Sequence, residues 1–143
     1  MKNLSAHLLL AICMLTACGK KEKPVDPYVA ATVGSYKFYS SGQLVKTTKG
    51  TYGTASSMYI EAVMPAGGAT IKLWIAKYTG ALDTLQIDSV DAAASFVPET
   101  PSVEKFAAYG QLIVTESTPV FRATFDFICT DSTRVYGDLK VAP

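Results

Sequence analysis

The strongest constraint on the fold is the strict two-residue alternation near the end of the chain. Phe121, Ala123, Phe125, Phe127 and Cys129 fall on one face of an extended segment, and Arg122, Thr124, Asp126 and Thr130 fall on the other. Side chains of a β-strand point alternately to opposite faces, so the first set is predicted to face a core and the second to face water. The next segment repeats the pattern, with Val135, Gly137, Leu139 and Val141 alternating with Arg134, Tyr136, Asp138 and Lys140. Inward must pair with inward, because a one-residue slip turns every side chain over. That parity requires an odd number of loop residues. Asp131-Ser132-Thr133 is the expected loop, pairing Cys129 with Val135 and Phe125 with Leu139. It also sets Asp126 opposite Asp138, with Lys140 one step diagonal as the compensating charge.

The same reading extends along Tyr28–Pro143, where no dodecamer keeps a 3.6-residue period with helix formers and caps. Strands are predicted over 29–33, 36–40, 57–64, 69–77, 84–88, 107–115, 120–130 and 134–141. Pro65-Ala66-Gly67-Gly68 and Thr79-Gly80 serve as turns. A second inner face is legible in Met58, Ile60, Ala62 and Met64, followed by Ile71, Leu73 and Ile75. Their neighbours Tyr59, Glu61, Lys72 and Trp74 then point outward. The expected architecture is all-β: an antiparallel β-sandwich of about eight strands over one apolar layer, with a small closed β-barrel as the alternative.

The amino end obeys different rules. Lys2 precedes the apolar run Leu8 to Leu15, a charged region and short hydrophobic region of the kind that directs export. A membrane-spanning helix needs about 20 apolar residues, so this run is too short to span. Residues 1–17 are therefore read as a signal peptide. Leu15-Thr16-Ala17-Cys18-Gly19 resembles the lipobox of bacterial lipoproteins, in which aliphatic and small residues precede the modified cysteine. The resemblance implies a diacylglyceryl thioether on Cys18, an acylated amino group, and attachment to a membrane through those chains. The alternative is ordinary cleavage near Ala17 that leaves a free thiol. Residues 19–27, with Lys20, Lys21, Glu22, Lys23, Pro24, Asp26 and Pro27, offer no apolar face and read as a flexible tether reaching up to ~30 Å at ~3.3 Å per residue.

A second resemblance is carried by Tyr109-Gly110-Gln111-Leu112-Ile113-Val114-Thr115, Phe121-Arg122-Ala123-Thr124-Phe125-Asp126-Phe127 and the closing strand. This region is similar to the last third of small β-sandwich lipoproteins of Bacteroidota. Ala123 stands where that pattern usually has Gly. The resemblance implies the outer membrane, in keeping with Gly19 after Cys18 in place of the aspartate that retains lipoproteins at the inner membrane. It implies no particular activity.

Several chemistries are disfavoured by composition. The single histidine, His7, lies in the segment read as signal, which leaves the domain without the commonest general base, nucleophile partner and metal ligand. Of three cysteines, Cys13 leaves with the signal and Cys18 takes the lipid, so Cys129 has no partner for a disulfide and reads as a small buried hydrophobe. Charge is balanced, 13 basic residues against 12 acidic, and no like-charge block argues for nucleic acid. Asp83, Asp88 and Asp91 are the densest acidic group, and their spacing matches no EF-hand loop. No catalytic residue, cofactor or metal ligand is assigned, and the domain is expected not to be an enzyme.

One feature points toward binding. Tyr59 and Trp74 fall outward on strands expected to be adjacent, with Tyr78 near the end of the second. Exposed aromatics on a flat sheet can stack on sugar rings or anchor a protein partner. They can equally pack beneath a loop such as 97–105. Three roles follow: a non-catalytic binding module for a glycan or protein, a structural accessory of the envelope, or a carrier of a small apolar ligand in a cavity lined by Met58, Ile60 and Leu73.

Overall fold

The computed structural model describes residues 24–65, 68–76 and 81–142. Cys18, Tyr78 and the turn residues Ala66, Gly67, Thr79 and Gly80 lie outside the described residues. The fold is all-β and antiparallel. Among the described residues its ten strands are β1 (Tyr28–Val33), β2 (Tyr36–Ser41), β3 (Val45–Tyr52), β4 (Ala55–Val63), β5 (Thr70–Ile75), β6 (Thr84–Gln86), β7 (Ala92–Val97), β8 (Lys105–Glu116), β9 (Phe121–Cys129) and β10 (Arg134–Val141). Nine of them follow one continuous path, β2-β1-β10-β9-β8-β7-β5-β4-β3, and β6 adds to β8.

The path curls into a half-barrel around a single apolar layer. The long strand β8 makes this possible: its first residues, Lys105 and Phe106, pair with β7, and its later residues Gln111 to Ile113 pair with β6. β9 runs along the opposite side of β8. The two layers expected of a sandwich are therefore halves of one sheet, continuous through β8.

The inner faces are those that alternation selects. Phe121, Ala123, Phe125, Phe127 and Cys129 are buried, as are Val135, Leu139 and Val141. Met58, Ile60, Ala62, Ile71, Leu73 and Ile75 are buried with them, and Met64 packs against the cluster while partly exposed. Each large apolar side chain taken out of water in this way contributes roughly 1.5–3 kcal/mol, and together these residues hold the curl.

Two strands exceed the sequence expectation, for different reasons. β3 is an edge strand in which only Val45 is buried, and Lys46, Lys49 and Gly50 break any apolar rhythm. It forms because Val45 to Tyr52 pair with Ala62 to Ala55 of β4. β7 begins Ala92-Ala93-Ala94-Ser95, residues with little intrinsic strand preference, and is held by pairing with β5 and β8.

The β9–β10 register corrects the expectation by two residues. Val135 lies opposite Phe127, Gly137 opposite Phe125 and Leu139 opposite Ala123. The turn is Thr130-Asp131-Ser132, closed by the Cys129 amide donating to the Thr133 carbonyl at 2.8 Å. A shift of two preserves parity, so the core face is unaffected. Asp126 consequently lies opposite Tyr136, not Asp138, and Lys140 lies opposite Arg122. The repulsion expected between Asp126 and Asp138 does not arise: Asp126 pairs with Arg134, and Asp138 accepts a hydrogen bond from the Tyr28 hydroxyl at 2.8 Å.

Candidate functional site

Outward residues of β4, β5 and β7 are brought into rows by their register. Tyr59 lies directly opposite Trp74, and Trp74 opposite Ala93. One row along, Glu61 lies opposite Lys72, Lys72 opposite Ser95, and Ser95 opposite Phe106 of β8. The small side chain of Ala93 leaves space beside the indole. The result is a groove of about 290 Å³ lined by Tyr59, Lys72, Trp74, Ser95, Glu104 and Phe106, among others.

The aromatic residues differ in how freely they meet solvent. Phe106 is 60% exposed, whereas Tyr59 and Trp74 are half-buried. Tyr52, at the far end of β3, packs edge-on against the Trp74 indole, with ring centroids 5.3 Å apart and planes at 88°. That geometry suits the quadrupoles of the two rings and holds the indole in one orientation.

Polar groups border the aromatic floor. The Glu104 carboxylate accepts from the Ser95 hydroxyl at 2.6 Å and from Lys72 Nζ at 3.0 Å. These two donors, Ser95 first, hold the Glu104 carboxyl below its ordinary range. Tyr59 donates to Glu61 Oε2 at 3.0 Å. Burial, reinforced by Glu61 and Glu104, pushes the Tyr59 phenol up to about 12, so it remains a donor at neutral pH. The groove thus presents a rigid aromatic surface beside an ammonium, a hydroxyl and a carboxylate already fixed by mutual hydrogen bonds.

No protein family, curated protein or solved structure matches the chain.

Of the three aromatics singled out from sequence, Tyr59 and Trp74 come together, and Tyr78 lies outside the described residues. Three contributors were not legible beforehand: Tyr52, Glu104 and Phe106. Tyr52 lies on the unrecognised edge strand. Phe106 was hidden by a bulge between Ala107 and Tyr109. Alternation carried back from buried Leu112 puts Phe106 on the core side, and the extra residue turns it outward. Glu104 alone left a faint signal, as a carboxylate directly before the strand that carries Phe106.

Asp83, Asp88 and Asp91 do not converge. Asp83 Oδ1 accepts the Thr84 amide at 2.7 Å, while Asp88 Oδ1 accepts the amides of Val90 and Asp91 at 2.8 and 3.2 Å. No group of three potential metal ligands occurs among the described residues. Met58, Ile60 and Leu73, candidates for lining an apolar cavity, sit in the core cluster at 2% exposure or less.

Proposed function

We propose that the chain is a lipid-anchored envelope lipoprotein of the bacterial outer membrane whose β domain is a non-catalytic binding module, taking a glycan or protein partner on the Tyr59–Trp74 face. The observation that carries this reading is the direct cross-strand pairing of Tyr59 with Trp74 in a groove with polar groups at its rim. Flat rings give large contact area at low entropic cost, and fixed polar groups give orientation. The low basicity of Glu104, already paired twice, favours binding over proton transfer.

The anchor part of the proposal rests on the lipobox around Cys18. No helix among the described residues is long and apolar enough to cross a membrane. Cys18→Ala is expected to abolish globomycin-sensitive processing and to release the protein from the membrane fraction at high salt. Persistent sedimentation with membranes would reject the anchor.

A second reading, a structural accessory of the envelope, is favoured by one observation: Tyr52 covers part of the Trp74 ring, as in a minor core. The Trp74→Ala variant separates the two. For a binding face, the variant should lose more than ~1 kcal/mol of affinity for a glycan identified on an array while its melting temperature moves little. For a minor core, the change should cost ~3 kcal/mol or more of stability with no glycan bound by wild type.

A further inference from the structure

The other half of the sheet carries a larger concavity on its outer surface, about 560 Å³ in volume, over β6, β8, β9 and β10. Register places Gln86 opposite Gln111, Gln111 opposite Asp126 and Asp126 opposite Tyr136, a single row across four strands. One step along, Tyr109 lies opposite Ile128, and Ile128 opposite Arg134. Tyr109 is 63% exposed.

The polar groups of this row are held in place before any ligand arrives. Arg134 donates from Nε to Asp126 Oδ1 at 2.9 Å and from Nη2 to Oδ2 at 2.5 Å. Its guanidinium also stacks 4.9 Å above the centre of the Tyr136 ring. The wall beside Gln86 is tied down by the Ile87 amide, which donates to the Gly110 carbonyl at 2.9 Å, and by the Asp88 carboxylate capping its own turn. Gln86 and Gln111, by contrast, are exposed, and their side-chain amides make no hydrogen bond among the described residues.

The charge pattern selects the ligand class. A guanidinium has five N–H donors and a carboxylate about four acceptor sites, so the bidentate pair leaves donors and acceptors on both partners. As a pair it carries no net charge, and the two adjacent amides carry none. An anion would meet Asp126 and Asp88, and a cation would meet Arg134. A ring bearing several neutral hydroxyls satisfies the amides, the carboxylate and the guanidinium together, while its C–H face covers the exposed Tyr109 ring.

We propose that this groove is a second ligand site, for a neutral oligosaccharide. It shares no lining residue with the Tyr59–Trp74 groove and does not depend on that groove binding anything. Gln111 and Tyr109 supply a hydrogen-bonding edge and a stacking surface, and Asp126 is a positioned acceptor oriented by Arg134.

The test is an array of neutral hexasaccharides of glucose, mannose, galactose and xylose beside sialylated and sulfated glycans, probed with the full-length chain in detergent. Gln111→Ala and Tyr109→Ala alter exposed side chains, and melting curves verify that both variants fold. Each is expected to weaken binding of the neutral oligosaccharide by about fivefold or more, while Trp74→Ala retains it. Three results would overturn the proposal: no neutral glycan bound, only sialylated or sulfated glycans bound, or neutral binding lost in Trp74→Ala and kept in both Gln111→Ala and Tyr109→Ala. The last would leave the Tyr59–Trp74 groove as the glycan site.

Discussion

Cys129 shows how a single residue takes its chemistry from its place on a strand. It is 1% exposed at the end of the row that includes Phe125 and Phe127, and its Sγ lies 3.6 Å from the Lys105 carbonyl oxygen. Burial first, and then the nearby Asp131 charge, push the thiol up to about 11. A thiol held protonated is a poor nucleophile, so native protein is expected to resist thiol reagents and to react only on unfolding; rapid native labelling would contradict this. Because the folded-state value lies above the ordinary one of 9.0, folding disfavours the thiolate. Stability should therefore be level below pH 9 on account of this group and fall as pH rises from about 9 to about 11. Cys129→Ala should flatten that part of the curve in denaturant melts at a series of pH values. Cys129→Ser should cost ~1–3 kcal/mol, towards the low end because the Lys105 carbonyl offers the hydroxyl an acceptor.

At the level of elements, the β9–β10 hairpin separates what alternation can specify from what it cannot. Alternation selects the inward face and requires an odd loop, and both hold. It cannot choose between registers that differ by two, because these have the same parity. That choice is made by the turn. Ser132 adopts φ 68°, the left-handed region, in the third loop position, where hairpins of this length favour glycine. The chain contains no glycine there to announce it. Asp131 takes part of that role, accepting the Thr133 amide at 3.0 Å while pairing with Lys105 at 2.6 Å. Ser132→Gly should consequently stabilise the protein by up to ~1 kcal/mol, as relief of left-handed strain outweighs the entropy that glycine adds to the unfolded chain. A fall in melting temperature would mean that the serine side chain contributes more than its backbone costs. Gly137 imposes the opposite demand. A Cβ there would collide with the Ala30 carbonyl and the Ala31 Cα of the neighbouring strand, so Gly137→Ala should be strongly destabilising. The candidate groove was legible to the same extent as the hairpin: alternation identified Tyr59 and Trp74, whereas a bulge and an edge strand without apolar rhythm concealed Phe106 and Tyr52.

For the whole molecule, the question is what holds a single nine-strand path in a curl. Its two ends, β2 and β3, are consecutive in sequence and joined by a 3-10 turn over Gly42–Leu44, yet they are not hydrogen-bonded neighbours in the sheet. β3 begins at Val45 opposite Ala62, so Val63 extends one residue beyond its partner strand. Ser40 of β2, fully buried, reaches across the gap and donates to the Val63 carbonyl at 2.7 Å. An apolar layer favours burial without fixing which strands face each other, whereas this hydrogen bond joins one end of the path to strand β4 near the other. Gly42, at φ 59°, supplies the left-handed backbone conformation in the turn that joins the two ends. Ser40→Ala should therefore cost ~1–3 kcal/mol, because the Val63 carbonyl loses its partner in a buried setting. The loss should be local in its dynamics. Amide exchange is expected to quicken in β2, the turn and the start of β3, while β9 and β10, in the middle of the path, keep their protection. Unchanged stability together with unchanged exchange in β2 would mean that the apolar layer alone sets the curl and that the Ser40 bond merely accompanies it.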